Sequence, residues 1–263
     1  MAANNPPPAA AIFGCAGLVL SEEERRFFAG ANPLGFILFA RNIESPEQVR
    51  VLVTALRASV GRADAPVLID QEGGRVQRLR PPHWRKAPPG EPFARLAARD
   101  PAAAHEALRL NFRLIGRELA DLGIDVDCAP VLDVPVAGAH DVIGDRAYGR
   151  TAALVSALAG EVMEGLLDEG VLPVIKHIPG HGRAMVDSHL ALPVVEASRA
   201  ELEAQDFPPF HALRHAPWAM TAHVVYTALD AAAPATTSAK VIAEVIRGAI
   251  GFNGVLVSDD LSM

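Results

Sequence analysis

The stretch Val171-Leu172-Pro173-Val174-Ile175-Lys176-His177-Ile178, followed by Pro179-Gly180-His181-Gly182, decides the fold. It opens continuously apolar, as a strand buried on both faces of a parallel sheet does. It ends polar, with a lysine and a histidine side by side. Outward from it, the same form recurs at residues 12–20, 35–40, 66–70, 124–129, 218–225 and 254–258. Between these runs lie segments with helical spacing and good helix formers: 21–29, 46–60, 101–122, 151–169, 199–215 and 238–250. Ser21 with Glu24 three residues later, and Ser45 ahead of Pro46, read as helix starts.

The ends of the runs choose between an open sheet and a barrel. Arg41-Asn42, Asp70-Gln71-Glu72, Asp133, Lys176-His177, His223 and Asp259-Asp260 each sit in or at the end of a different run. An open sheet gathers its functional groups at one switch point, whereas a barrel draws them from strand ends around the ring. Six contributing strands predict a (β/α)8 TIM-type α/β barrel. The chain stops at Met263, after the seventh strand, so the expectation is a barrel truncated from a longer parent, poorly stable or inactive in isolation. A seven-stranded closure is the alternative. Residues 1–8, with three consecutive prolines, are expected to form a disordered tail, and 9–263 a single barrel domain whose C-terminal part is missing.

Composition narrows the function classes. Half of the 263 residues are apolar, enough for a large core. Lys and Arg number 24 against 31 Asp and Glu, a net charge of −7 that argues against a nucleic-acid-coating protein. Cys15 and Cys128 are too few for a disulfide scaffold and read as small core residues. The longest apolar stretch, 9–20, is too short to span a bilayer, and the first basic residue, Arg25, comes after it. A cytoplasmic protein without membrane or nucleic-acid partners is expected.

Three constellations carry chemistry. The densest runs from Lys176 to His189, through His177, His181, Asp187 and Ser188. A metal site using His177, His181 and His189 is one reading. His177 and His181 are four apart, which aligns two ligands only on a helix, and Pro179-Gly180 breaks a helix. Ordinary polar loop histidines are a second. The third is acid/base work, with Asp187 orienting His189 and raising its basicity. The second constellation, Asp70-Gln71-Glu72-Gly73-Gly74 with Arg75 and Arg78, suits sugar hydroxyls. Glu72 is a candidate acid by residue type and equally a loop acceptor. The third is Asp259-Asp260, of which alternation on a strand lets one face the centre. A fourth segment, Gly144 to Gly149, adds Arg146.

In order and spacing, the strings IDQEGGRVQRLR, APVLDV, GDRAYG, KHIPGHG, DSH and SDDLSM resemble glycoside hydrolase family 3, most closely its bacterial β-N-acetylglucosaminidase branch of cell-wall recycling. The resemblance runs from about Gly17 to Met263. It implies a (β/α)8 barrel with no second domain. It implies Asp259 as a nucleophile forming a covalent glycosyl-enzyme, and His189 as general acid/base with Asp187 as its partner on a mobile loop. It also implies contacts from Asp70, Arg78, Arg146, Lys176 and His177 to N-acetylglucosamine. No metal or organic cofactor is implied, and the substrate would be a small carbohydrate or muropeptide carrying GlcNAc–anhydro-MurNAc. The β-glucosidases of the family lack the DSH loop, so its presence favours the glucosaminidase branch. Ile178 departs from the family's usual Phe, and 183–186 is an idiosyncratic spacer. A metal-dependent hydrolase and a catalytically silent sugar-binding barrel remain the alternatives.

Overall fold

The structure is a computed structural model that describes residues 7–186 and 192–261. Seven strands form one sheet in strict chain order: β1 (Ala9–Phe13), β2 (Pro33–Leu38), β3 (Val67–Ile69), β4 (Val126–Asp127), β5 (Leu172–Ile178), β6 (Trp218–Thr221) and β7 (Val255–Ser258). Every neighbouring pair is parallel. Helices fill the crossovers: α1 (Glu22–Ala31), α2 (Pro46–Ser59), α3 (Glu91–Ala97), α4 (Pro101–Leu122), α5 (Ala152–Leu167), α6 (199–212) and α7 (Val241–Ala249). The last two carry π-helical turns, at 202–206 within α6 and throughout α7.

Local sequence explains the helix limits. Ser21 and Glu24 close a reciprocal capping box on α1, and the Ser45 side chain accepts the Gln48 N–H ahead of Pro46. Asp100 caps α4 through the Ala103 N–H at 3.0 Å, and Gly123 ends it in the left-handed conformation. Along α4, Ala104, Leu108, Phe112, Ile115 and Leu119 are buried at helical spacing and pack with α5.

The sheet has two apolar faces, as an α/β barrel requires. Phe36, Leu38, Val67, Ile69, Ile175 and Ala219 join the core beneath the helices. Leu68, Val126, Cys128, Val174, Trp218 and Met220 form a separate cluster, joined by Ile12, Leu34 and Val257, that is the packed interior of the curled sheet. Both cysteines are buried and free, as expected. Among the described residues no helix is long and apolar enough to cross a membrane.

The first strand departs from its expected place. It spans Ala9–Phe13 rather than 12–20, so it starts just after the prolines. Beyond Phe13 the segment does not pair with a strand: Cys15 and Leu20 are buried, whereas Val19 is exposed. The Asn42 side chain binds the Cys15 and Gly17 carbonyls, and Gln48 binds that of Leu18. Side chains thus satisfy a loop that reads as a strand. The short helix α3 carried no readable periodicity.

Candidate active site

The mouth of the sheet is built at the strand C-termini. Beyond β3 the chain turns into a short antiparallel ribbon in which Gln71–Gly73 pairs with Val76–Gln77. Gly73 and Gly74 have φ of +95° and +58°, and a Cβ on Gly73 would run into the Pro88 carbonyl oxygen. The glycine pair is therefore demanded by the turn. The Gln71 side chain locks the ribbon: its Oε1 accepts the Arg78 and Leu79 N–H groups at 2.9 and 3.0 Å.

This ribbon presents two carboxylates to cations from distant parts of the chain. Asp70 accepts from Arg78 Nη2 and from Lys176 Nζ, each at 2.9 Å. Glu72 accepts from Arg146 through Nε and Nη2, a bidentate pair at 2.8 Å each, and Lys176 Nζ lies 2.7 Å from its Oε1. Burial opposes the charge on both acids. For Glu72 the Arg146 and then the Lys176 charges outweigh burial and hold the carboxyl down at about 2. For Asp70, Lys176 and then Arg78 hold it well below the usual carboxylate range. Lys176 is itself buried, and the two carboxylates hold its ammonium above the ordinary lysine value. Glu72 is thus an anion clamped by two cations, which favours its reading as an acceptor over that as an acid. Its partners lie 74 and 104 positions away, so residue type alone could not reveal them.

β5 places both Lys176 and His177 in the mouth. In a regular strand adjacent side chains alternate, but the β5–β6 register shifts between Lys176 and Ile178. The Lys176–His177 and Ile178–Pro179 peptides are cis. Beyond β4, residues 129–132 continue alongside β5: Val174 N donates to Ala129 O, and Leu132 N to Lys176 O. This carries Asp133 next to His177. Asp133 is fully buried, lies 2.6 Å from His177 Nδ1, and accepts the His181 backbone N–H at 2.6 Å. Burial opposes its charge, yet His177 and His181 hold the Asp133 carboxyl at about 2. An anion there fixes the His177 tautomer with Nδ1–H donating, leaving Nε2 turned to the cleft. That Nε2 lies 3.9 Å from Asp259 Oδ2, too far for a hydrogen bond.

Asp259 follows β7, and its side chain is 23% exposed, within reach of a ligand. The Asp260 N–H bonds its Oδ1 at 2.9 Å, and the Asp260 carbonyl accepts from His223 Nε2 at 3.0 Å. Asp70, Lys176, His177 and Asp259 therefore converge, as predicted, with Arg78 and Arg146 tied to the same cluster. Asp133 and His181 also join the site; the residue patterns marked Asp133 only as a polar residue closing a run and His181 only within the histidine cluster, and paired neither with the other. The available signal was a lone carboxylate closing the apolar string Ala129-Pro130-Val131-Leu132. Asp187 and His189 lie outside the described residues. The chain leading to them is anchored: Arg183 Nε bonds the buried Asp206 at 2.7 Å, and His140 N donates to Ala184 O.

His181 is buried, its Nδ1 has no partner, and burial followed by the neighbouring His177 lowers its pKa to about 4. The His177 and His181 rings stand 5.6 Å apart at 61°. Among the described residues no group of three His, Cys, Asp or Glu side chains is placed to hold a metal ion.

The clamp around Glu72 gives a stability prediction. Glu72→Gln removes the anion but leaves Arg146 and Lys176 buried beside a neutral amide. Breaking a buried ion pair on one side costs about 3–5 kcal/mol. Denaturant unfolding of the variant should show a loss on that scale, and a loss below about 1 kcal/mol would mean that the clamp is solvated.

A parallel α/β barrel sheet with a charged cluster at its strand C-termini defines a barrel enzyme. The chain belongs to glycosyl hydrolase family 3: residues 17–263 match the family model described as the glycosyl hydrolase family 3 N terminal domain. It is 43% identical over 254 residues to a protein named β-hexosaminidase from Alkalilimnicola ehrlichii, covering 96% of this chain and 72% of that protein. Among solved structures it resembles NagZ from Neisseria gonorrhoeae in complex with N-trifluoroacetyl-D-glucosamine, with a TM-score of 0.92 and 36% identity over 98% of this chain and 76% of that one. A family 3 β-N-acetylglucosaminidase from Paenibacillus sp. superposes with a TM-score of 0.88 at 37% identity, covering 96% of this chain and 48% of that one.

Proposed function

We propose that the protein is a retaining β-N-acetylhexosaminidase that releases terminal β-linked N-acetylglucosamine. The observation that carries this reading is the placement of an accessible carboxylate, Asp259, beside a polar cluster of Asp70, Arg78, Lys176 and His177 on a family 3 barrel. Relatives named β-hexosaminidase support the substrate class.

Asp70 spends one lone pair of each oxygen on Lys176 and Arg78 and keeps acceptor capacity for sugar hydroxyls. Arg146 spends three N–H groups on Glu72 and the Val142 carbonyl, and keeps two for the ligand. These contacts hold the sugar with its anomeric carbon over Asp259. The Asp259 carboxylate attacks that carbon while the glycosidic C–O bond breaks. His189, oriented by Asp187, gives its proton to the departing oxygen. In the second step neutral His189 takes a proton from water, the water oxygen bonds the anomeric carbon, and the Asp259 carboxylate is freed. Neither step calls for a metal or organic cofactor. The natural substrate in this reading is a muropeptide fragment in the cytoplasm.

Two displacements at one carbon return the β configuration. Proton NMR during hydrolysis of an aryl β-N-acetylglucosaminide should show the β anomer of N-acetylglucosamine first, with the α anomer appearing only by mutarotation. First appearance of the α anomer would sink the double-displacement mechanism.

A further inference from the structure

Asp127 ends β4 and has no part in the proposed chemistry. It is fully buried. Its Oδ1 accepts the Gln71 backbone N–H at 2.9 Å, while Oδ2 has neither solvent contact nor a hydrogen-bond partner. Val126 and Cys128 face the barrel interior, so Asp127 points the other way, behind the ribbon. The titratable and charged groups around it are Asp70 and Glu72 after β3, Lys176 on β5, Cys128 next to it in the chain and the buried Tyr148 phenol. The nearby cations are engaged by its neighbours: Lys176, Arg78 and Arg146 bond Asp70 and Glu72.

We propose that Asp127 is a positioning residue that works as a neutral carboxyl, pinning Gln71 and through it the ribbon that presents Asp70, Glu72 and Arg78 to the sugar. The sugar part of this inference rests on the hexosaminidase reading; the neutral carboxyl does not. An ionised Asp127 would bury a third negative charge beside Asp70 and Glu72 with one oxygen unpaired, a costly arrangement. Burial is the leading cause that pushes its carboxyl up to about 8, with the Asp70 and Glu72 charges adding and the Gln71 N–H and Lys176 opposing. The Gln71 bond links this proton to the site. Gln71 holds Arg78 and Leu79 through its side chain and lies between Asp70 and Glu72 in the chain. Loss of the proton would load the cluster with charge where Gln71 ties the ribbon to the sheet. The sugar-facing geometry then degrades in mildly alkaline solution.

The sign of the stability effect is definite. The unfolded carboxyl ionises near its ordinary value of 3.8, whereas the folded one keeps its proton to about 8. Between those values the folded state binds the extra proton, so this group's contribution falls as pH rises, and it levels off above the folded value. Asparagine does not titrate. Melting temperatures of the wild type and Asp127→Asn, measured from pH 5 to pH 9, should diverge in favour of the variant up to about pH 8 and then run parallel. A constant difference across the range would mean an ionised Asp127 and overturn the proposal.

The positioning role has its own readout in the affinity for N-acetylglucosamine, measured by calorimetry. The wild type should lose about tenfold between pH 7 and pH 9, and Asp127→Asn less than about twofold. Equal losses in both would overturn the positioning role and leave the neutral carboxyl standing. No affinity in either protein at any pH would refute the hexosaminidase reading and the positioning role with it, while the melting series still decides the protonation. Should Asp127→Asn fail to fold, the carboxyl carbon signals of the wild type decide instead: one titrating near pH 8 is expected, and none in that range contradicts the proposal.

Discussion

Asp259→Ala should abolish turnover of every β-N-acetylglucosaminide, whatever its leaving group. A missing nucleophile is not replaced by a better leaving group, and removing the nucleophile of a covalent enzyme costs on the order of 10⁴- to 10⁶-fold. The substitution also opens space on the face of the sugar opposite the departing oxygen. Added azide should enter there and restore release of nitrophenol from an aryl substrate, giving the α-glycosyl azide. Asp259 is partly exposed and held by the Asp260 N–H, so its removal should leave the fold in place. A variant that folds and keeps more than about a tenth of wild-type activity would show that another group attacks the sugar.

The second large effect belongs to His189 and depends on the leaving group. In a natural disaccharide the departing oxygen is basic and needs a proton. In a nitrophenyl glycoside it leaves as a stable anion. General acid assistance is worth about 10²–10⁴-fold. His189→Ala should lose that much in glycosylation with the natural linkage and much less with the aryl substrate. Deglycosylation should slow for both, because in the proposed mechanism His189 also activates water. Asp187→Ala should give a milder form of the same pattern, since it removes only the group that orients the imidazole. Pre-steady-state release of both aglycones falling by one common factor in His189→Ala would make His189 a binding residue.

Much of this architecture was legible in the residues. Parallel strands announce themselves as unbroken apolar runs, and the polar residues closing them marked the barrel mouth, so Asp70, Lys176, His177 and Asp259 could be placed together. The limits were physical. The 12–20 run looked like a strand because periodicity cannot tell a paired segment from a loop whose carbonyls are bound by Asn42 and Gln48. Glu72 reads equally as an acid or a loop acceptor, because its neutralising partners, Arg146 and Lys176, are close only in the fold. Asp133 was visible at a strand end, but its bond to His177 depends on the chain beyond β4 running beside β5. Asp127 was hidden by alternation, since which face of a short strand is inward depends on register.

In the proposed mechanism, attack by the Asp259 carboxylate on the anomeric carbon is the central chemical step, and it leaves a covalent mark. An N-acetylglucosaminyl substrate carrying an activated leaving group, and deactivated by fluorine on the ring, should form the glycosyl-enzyme faster than water releases it. Intact mass spectrometry should then show one added sugar per protein, and peptide sequencing should place it on Asp259. A sugar attached to another side chain, or turnover of this substrate with no adduct at any time, would contradict the mechanism.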